Sequence, residues 1–352
     1  MKTIYHICLE PLDNRYTKQW YTNIPEIINA AIKENELDMQ VVTIDGQTLE
    51  DKTTDGAFLN FSSTNYYKAI QTAEISKLFH NGTIKAGDKF LFTDAWHFGI
   101  TATKYMSELL DIPVEIHSIW HAGAYDPTDI LGMKMSKEWP AHQERAWFHC
   151  SDFNYFGTIF HKQMFLRNLN IFEYEKAIRS GQPHTPIIAE VSKWNAPKKT
   201  NAILWPHRYN SDKQPEIAED LAKNFQIIVT QKLNLSKPMY YHLLGKAKAV
   251  FSCSLHENLG ISMMEGCIAG AIPIVPDRAS YSEMYLDIFK YPSEWTSSVD
   301  NYYHYKTKLI DFINDLIVQY NKIAENELVD QVGILKRKYL SPTIMVNKLI
   351  GK

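Results

Sequence analysis

The sequence predicts an α/β protein of two domains, each built on a parallel sheet, and three observations carry that expectation. Short β-type runs alternate with stretches of helical spacing through the first half of the chain. A segment with three prolines and three lysines, residues 182–200, then breaks the rhythm. After it the alternation restarts. Strands separated by helices imply crossover connections and parallel pairing. A chain of 352 residues also fits two domains of roughly 150 residues each.

The elements follow in order. Residues 3–9 (TIYHICL) read as a first strand, and residues 24–33 (IPEIINAAIK) space their apolar positions as a helix does. Residues 40–44 (QVVTI) and 89–92 (KFLF) read as strands, 100–110 as a helix, and 113–119 (PVEIHSI) as a strand. Residues 182–200 read as an interdomain linker because prolines and exposed charges break regular structure. Beyond it come strand 201–205 (NAILW), helix 215–224, strand 225–230 (FQIIVT) and helix 239–246. Strand 249–252 (AVFS), helix 260–269, strand 272–275 (IPIV) and a mostly helical tail, 305–352, complete the chain. In open α/β sheets ligands sit on the loops that follow strands, so those loops are where function is sought.

Composition excludes several classes. With 45% hydrophobic and 22% charged residues the chain is neither disordered nor fibrous. A net charge of −3 does not mark a nucleic-acid binder, although a local basic patch would suffice for one. Twenty Tyr, 16 Phe and 8 Trp suit surfaces that stack on rings. Cys8, Cys150, Cys253 and Cys267 form no CxxC, so free thiols are expected rather than disulfides or zinc. The start, MKTIYHICLE, lacks the apolar run of a signal peptide, and no segment approaches the ~20 apolar residues of a membrane span. A cytoplasmic protein without membrane contact is expected. No D-x-D occurs, so no metal site for a diphosphate is expected either.

The most informative stretch is residues 251–285, FSCSLHENLGISMMEGCIAGAIPIVPDRASYSEMY. A strand ends near Ser252, a polar loop carries His256, Glu257, Asn258 and Leu259, and Gly260–Ile261 opens a helix. The free N–H groups of a helix start, with its dipole, favour an anion. Glu265 follows Glu257 by eight residues, and carboxylates accept well from the paired hydroxyls of sugars. At the start of the same domain, Arg208 and Lys213 follow the strand 201–205. By spacing alone they read as two solvated surface cations.

These residues resemble the donor-binding region of retaining glycosyltransferases of family 4. Glu257 and Glu265 match the E-x7-E pattern, residues 270–275 (GAIPIV) the strand after it, and Arg208 with Lys213 the basic pair of the first loop. The strings ILWPHRYNSDKQPE, SLHENLGISMMEG and PDRASYSEM look like the branch containing the tRNA-queuosine mannosyltransferases. EPLDNRYTKQWYTNIP is similar to phage enzymes that glycosylate hydroxymethylated DNA bases. The resemblance implies a GT-B fold, two Rossmann-like domains facing a central cleft. Residues 1–190 would bind the acceptor. Residues 191–352 would bind the nucleotide-sugar, their last helices returning to the first domain. It implies that Arg208, Lys213 and the N–H groups at Gly260–Ile261 hold the diphosphate, with Asn258 and Leu259 lining the loop. Glu265 would hold ribose, Glu257 the sugar, and His121 would face the donor sugar. The donor is expected to be UDP-linked, carrying glucose or arabinose, with no separate cofactor, and the protein a monomer. The expected acceptor is 5-hydroxymethylcytosine in phage DNA. A tRNA-queuosine-type transferase and a non-catalytic nucleotide-sugar-binding protein are the alternatives.

In the first half, Asp94, Trp96 and His97 follow the KFLF strand, where an acid, an indole and an imidazole suit an acceptor pocket. A core-satisfied Asp–His pair is the other reading of them. His121 and Tyr125 follow the strand 113–119 in HAGAYDP, a departure from the family's His-led loop. Glu10, Asn14, Arg15 and Lys18 follow the first strand, read either as a closing loop or as a charged loop in water. Arg15, Lys18, Lys162, Arg167, Lys193, Lys198 and Lys199 are the candidate contacts to a nucleic-acid backbone.

Overall fold

The computed structural model of the protein describes residues 1–12, 16–49, 59–135 and 138–352. Residues 1–183 with 342–352 form one unit, and residues 184–341 the other. The division falls at Pro183/His184 rather than at 190/191, because the stretch read as a linker contains a helix, Thr185–Ser192. Pro186 lies in its first turn, where a missing N–H costs nothing.

In the first unit the strands are β1 (Lys2–Ile7), β2 (Met39–Ile44), β3 (Lys89–Phe92), β4 (Glu115–Trp120), β5 (Phe153–Phe156) and β6 (Ala177–Arg179). Its helices are α1 (Tyr16–Glu34), α2 (Phe61–His80), α3 (Gly99–Leu109), α4 (Ile130–Lys134), α5 (Glu138–Cys150) and α6 (Ile159–Asn168). The sheet is parallel in the order β2-β1-β3-β4-β5-β6, with Ile4 of β1 opposite Val41 and Lys89. Alternate residues point to opposite faces. Ile4, Leu91, Ile119 and Tyr155 pack with Trp20, Ile24 and Ile28 of α1 and Leu349 of the last helix, Thr343–Ile350. Phe90, Phe92, Trp120 and Phe156 pack on the other face with Phe79, Phe148 and Phe165. Burial on both faces is what a parallel sheet requires.

The helix expected over 24–33 is the C-terminal part of α1, in which Trp20, Ile24, Ile28 and Ile32 recur every four residues along one buried stripe, and it begins eight residues earlier, at Tyr16. By contrast α2 went unread. Its buried side begins with Ser63, Thr64, Tyr67, Lys68 and Gln71 and becomes apolar only at Ile75 and Phe79. A helix that buries polar side chains shows no apolar period.

The second unit contains α7 (Thr185–Ser192), β7 (Thr200–Trp205), α8 (Pro215–Leu221), β8 (Ile227–Val229), α9 (Lys237–Lys246), β9 (Ala247–Phe251) and α10 (Ile261–Ile268). β10 (Ile272–Pro276), α11 (Tyr281–Met284), β11 (Lys290–Tyr291), α12 (Val299–Val318), α13 (Tyr320–Glu325) and α14 (Glu327–Ile334) follow. The parallel sheet runs β11-β10-β9-β7-β8. The strand order therefore reverses beside β7, with β8 on one side and β9 on the other. Loops leaving the two flanking strands part in opposite directions at such a point and leave a crevice for a ligand. The corresponding reversal in the first unit lies between β1 and β3.

All four cysteines are free, and among the described residues no helix is long and apolar enough to cross a membrane.

Candidate functional site

At the strand reversal of the second unit, the loops after β7 and β9 are fastened to each other. After β7 the chain makes a short 3-10 turn, Ser211–Lys213, started by the Asn210 side chain accepting from the Ser211 N–H at 2.9 Å. Gln214 follows with φ of 50°, and its Nε2 donates to the carbonyls of Cys253 (2.6 Å) and Thr296 (2.7 Å). The Leu255 N–H donates to the Asp212 carbonyl at 2.8 Å. These bonds leave Lys213 buried. Its Nζ donates to Ser254 Oγ (2.8 Å) and the His256 carbonyl (2.7 Å). The same Nζ lies 3.0 Å from Asp212 Oδ2 and 3.3 Å from Glu257 Oε2.

The electrostatics follow from that packing. Burial works to raise the Glu257 carboxyl, but Lys213 beside it prevails and holds it at about 2. Burial works to lower the Lys213 ammonium, and Glu257 with Asp212 instead holds it above its ordinary value. Burial, reinforced by Lys213, pushes His207 down to about 3, so its imidazole is neutral, and its buried Nε2 has no hydrogen-bond partner. Arg208, next in the loop, is exposed.

Gly260 opens α10 with φ of +70°, a conformation that favours glycine. A Cβ there would lie 2.9 Å from Tyr281 Cε1 and 3.2 Å from Glu257 Cγ. No side chain caps the helix start at Gly260–Ile261. Leu259 is buried just before it, and Asn258 is half-buried. Further along α10, Glu265 is buried and accepts from Tyr241 Oη (3.2 Å) and Tyr240 Oη (3.3 Å) of α9. Burial pushes its carboxyl up to about 7, against the pull of Lys237.

In the first unit, the loops after β3 and β4 carry the remaining candidates. Asp94 Oδ2 accepts from Lys68 Nζ at 2.6 Å, and Asp94 Oδ1 from the Trp96 N–H at 3.1 Å. Burial works to raise the Asp94 carboxyl, yet Lys68 and then His121 keep it below its ordinary value. Lys68 Nζ also donates to the Trp96 carbonyl at 2.6 Å. His121 donates from Nε2 to the Thr93 carbonyl (2.8 Å) and accepts at Nδ1 from Tyr16 Oη (3.2 Å), with the Trp20 ring 5.1 Å away. Trp96 Nε1 donates to Glu144 Oε1 of α5 at 2.9 Å. Glu144 is fully buried, and burial pushes its carboxyl up to about 7 while the Trp96 N–H pulls it down.

Two candidates turn inward. His97 is buried with both ring nitrogens engaged, Nε2 with Gln71 Oε1 (3.1 Å) and Nδ1 accepting from the Gly99 N–H (2.9 Å) at the start of α3. Burial pushes it down to about 3. Its partner is Gln71, not Asp94. Tyr125 is buried against Trp120 and Phe165, and its hydroxyl bonds His161 Nε2. Arg15 and Asn14 lie outside the described residues. Glu10 is buried and accepts from Ser63 Oγ (3.2 Å) and Thr64 Oγ1 (2.7 Å) at the start of α2.

Among the proposed backbone cations, Lys18, Arg167, Lys193 and Lys198 are exposed. Lys162 is half-buried, with Nζ donating to the Ala177 carbonyl at 3.2 Å. Lys199 differs: its Nζ donates to the carbonyls of Gly245 (2.6 Å) and Ala269 (2.5 Å), closing the ends of α9 and α10. Burial pushes it down to about 8. Sequence reading missed Lys68, Glu144, Tyr240 and Tyr241. A lysine or glutamate within a helix looks solvated until its partner is known. The Tyr-Tyr pair at 240–241 was the one visible cue. Among the described residues no group of three or more His, Cys, Asp or Glu is placed to hold a metal ion.

No protein-family profile matches the chain. A tRNA-queuosine alpha-mannosyltransferase of Drosophila melanogaster is 26% identical over 113 residues, a match covering 24% of this chain and 30% of the fly protein. Solved structures match along the whole length. Sucrose-phosphate synthase of Thermosynechococcus elongatus superposes with a TM-score of 0.64 at 10% identity, covering 99% of this chain and 97% of that one. Anabaena HepE in complex with UDP gives 0.55 at 10% identity, covering 100% and 98%. The lipopolysaccharide outer core galactosyltransferase WaaB gives 0.57 at 11%, covering 100% and 99%. What the chain shares with them is the fold. It is GT-B, two Rossmann-like α/β units on parallel sheets.

Proposed function

We propose that this protein is a glycosyltransferase that takes its sugar from a nucleoside diphosphate. The observation that carries the reading is the Lys213–Glu257 pair beside the uncapped start of α10, at the strand reversal of the second sheet. Ligands of open α/β sheets bind at such a point. The N–H groups of a helix start and a fixed ammonium together suit a diphosphate.

In this reading Lys213, exposed Arg208 and the Gly260–Ile261 N–H groups stabilise the departing diphosphate. Glu257, held ionised, accepts from hydroxyls of the transferred sugar, and Glu265 accepts from the ribose. His121 faces the donor sugar. The HepE complex with UDP supports a UDP-linked donor, and the E-x7-E resemblance supports transfer with retention. Asp94 and Trp96 belong to the acceptor side. The acceptor is a hydroxymethyl group on a base, 5-hydroxymethylcytosine of phage DNA, as the likeness of residues 10–25 to phage enzymes suggests. A tRNA-queuosine acceptor is the second reading, favoured by the match to the fly mannosyltransferase.

The test is to incubate the protein with UDP-glucose and, separately, UDP-arabinose, each with hydroxymethylated DNA and with queuosine-containing tRNA. UDP release and the masses of the digested nucleosides are then followed. A hexose or pentose added to hydroxymethylcytosine is the expected product. Sugar on tRNA alone moves the acceptor to the second reading. No UDP release with any nucleotide-sugar, despite measurable binding, overturns the transferase and leaves a binding protein.

A further inference from the structure

Trp96 is held at three of its polar atoms. Its N–H donates to Asp94 Oδ1 (3.1 Å), its carbonyl accepts from Lys68 Nζ (2.6 Å), and its indole N–H donates to Glu144 Oε1 (2.9 Å). The ring edge packs on Trp147, with centroids 5.1 Å apart at 66°. Glu144 and Trp147 lie three residues apart on α5, so one helix face supplies both contacts. Trp96 as a residue is nevertheless only half-buried, whereas Glu144 is 0% exposed.

A buried carboxyl is costly unless its oxygens are bonded. Glu144 Oε1 takes two donors, the Trp96 indole and the Ala124 N–H at 2.6 Å, while its buried Oε2 has no hydrogen-bond partner, so the bonds at Oε1 are what hold the carboxyl in place. It thereby ties the loop after β3 to the loop after β4. Gly123 completes the joint. A Cβ there would lie 2.4 Å from Glu144 Oε1 and 2.7 Å from Trp96 Nε1, so only glycine admits this approach. Four elements converge to immobilise one half-buried indole at a strand-end loop. A rigid aromatic plane gives affinity to a flat ring because little freedom is lost when the ring stacks on it.

We infer that Glu144 is a positioning residue for the acceptor, fixing through the indole N–H the plane of Trp96 on which a flat ring of the acceptor stacks. The inference rests on the transferase reading above and goes beyond it, since Glu144 itself need not touch the substrate.

The test compares wild type, Glu144→Gln, Glu144→Leu, Trp96→Phe and the Glu144→Leu/Trp96→Phe double variant. Acceptor KM is measured in transfer, and donor KM in hydrolysis of the nucleotide-sugar alone. Glu144→Leu is expected to raise acceptor KM roughly tenfold or more, the scale of losing one stacking contact, with donor KM unchanged. Glu144→Gln, whose amide oxygen can accept from the same two N–H groups, should restore near wild-type acceptor KM. In the double variant Glu144→Leu should add nothing to Trp96→Phe, because both act through one ring. Acceptor and donor KM rising together, no rescue by glutamine, or losses that multiply in the double variant would each overturn the proposal. If Glu144→Leu fails to fold, Trp96→Phe decides, since an unchanged acceptor KM without the indole N–H overturns it as well. Wild-type protein that turns over no nucleotide-sugar instead defeats the transferase reading, and that result is read without any variant.

Discussion

Lys213 Nζ lies 3.3 Å from Glu257 Oε2, joining the loop after β7 to the loop after β9 across 44 residues of chain. The ammonium is buried and meets a second carboxylate, Asp212, at 3.0 Å. It is thus a structural tie, which sets it apart from its exposed neighbour Arg208, and under the proposed function it would also serve as a charge for the diphosphate.

Removing buried Lys213 leaves the half-buried carboxylates of Glu257 and Asp212 uncompensated. Lys213→Ala is therefore expected to destabilise the second unit by about 3 kcal/mol or more. Arg208→Ala should leave stability within about 0.5 kcal/mol, as exposed positions do. Both should lower turnover by ~100-fold, the scale of losing one preorganised charge. Thermal melts beside kcat for each variant check this. Equal melting for the two would mean that the Lys213 pair contributes nothing to the fold.

Glu265 makes a prediction in pH. Its carboxyl stands at about 7 in the folded protein against an ordinary 4.5, so the native state holds this proton more tightly than the unfolded chain does. Stability from that group is present at low pH and is lost as pH rises from 4.5 through about 7. Glu265→Gln carries no such loss. The variant should melt a few degrees above wild type at pH 8, with the gap closing by pH ~5. It should also raise donor KM more than it lowers kcat, because the contact to ribose proposed for it would be made equally in the ground and transition states. A gap in melting that does not change with pH would show that Glu265 is ionised throughout.

The lysines of residues 193–199 separate into two kinds. Lys199→Ala removes the donor to two carbonyls at helix ends, so it should lower the melting temperature and leave the salt dependence of acceptor binding alone. Exposed Lys193 and Lys198 should do the reverse when changed to Glu. If they contact phosphates, the log–log salt slope for duplex DNA falls by about 0.9 per contact. Titrations of hydroxymethylated DNA at several salt concentrations measure it. An acceptor affinity independent of salt would exclude a nucleic-acid backbone in the site.

Gly123→Ala forces a methyl against Glu144 and the Trp96 indole. Overpacking of this kind costs ~1–3 kcal/mol. The expected result is a lower melting temperature and a raised acceptor KM, with donor KM unchanged. A variant as stable and active as wild type would show that the loop after β4 yields freely.

Much of the fold was legible from residues alone. Runs such as KFLF and NAILW, buried on both faces, announce parallel strands without reference to any partner. Gly260 and the spacing of Glu257 and Glu265 mark a strand–loop–helix, because a turn into a helix start constrains residues next to each other in the chain. What the tertiary structure decided is which charged and polar groups are buried. Lys68, Glu144, Lys199 and Lys213 look like surface residues in sequence. The burial of Lys68, Glu144 and Lys213 and the partial burial of Lys199 depend on partners 26, 48, 44 and 46 positions away, which only the packed sheet and its helices bring within bonding distance. The same cause hid α2, whose buried face is polar where it meets Asp94 and the Trp96 carbonyl through Lys68 and only turns apolar further on. A hydrophobic residue declares its burial by its own chemistry, whereas a polar one is buried only once a partner has been supplied.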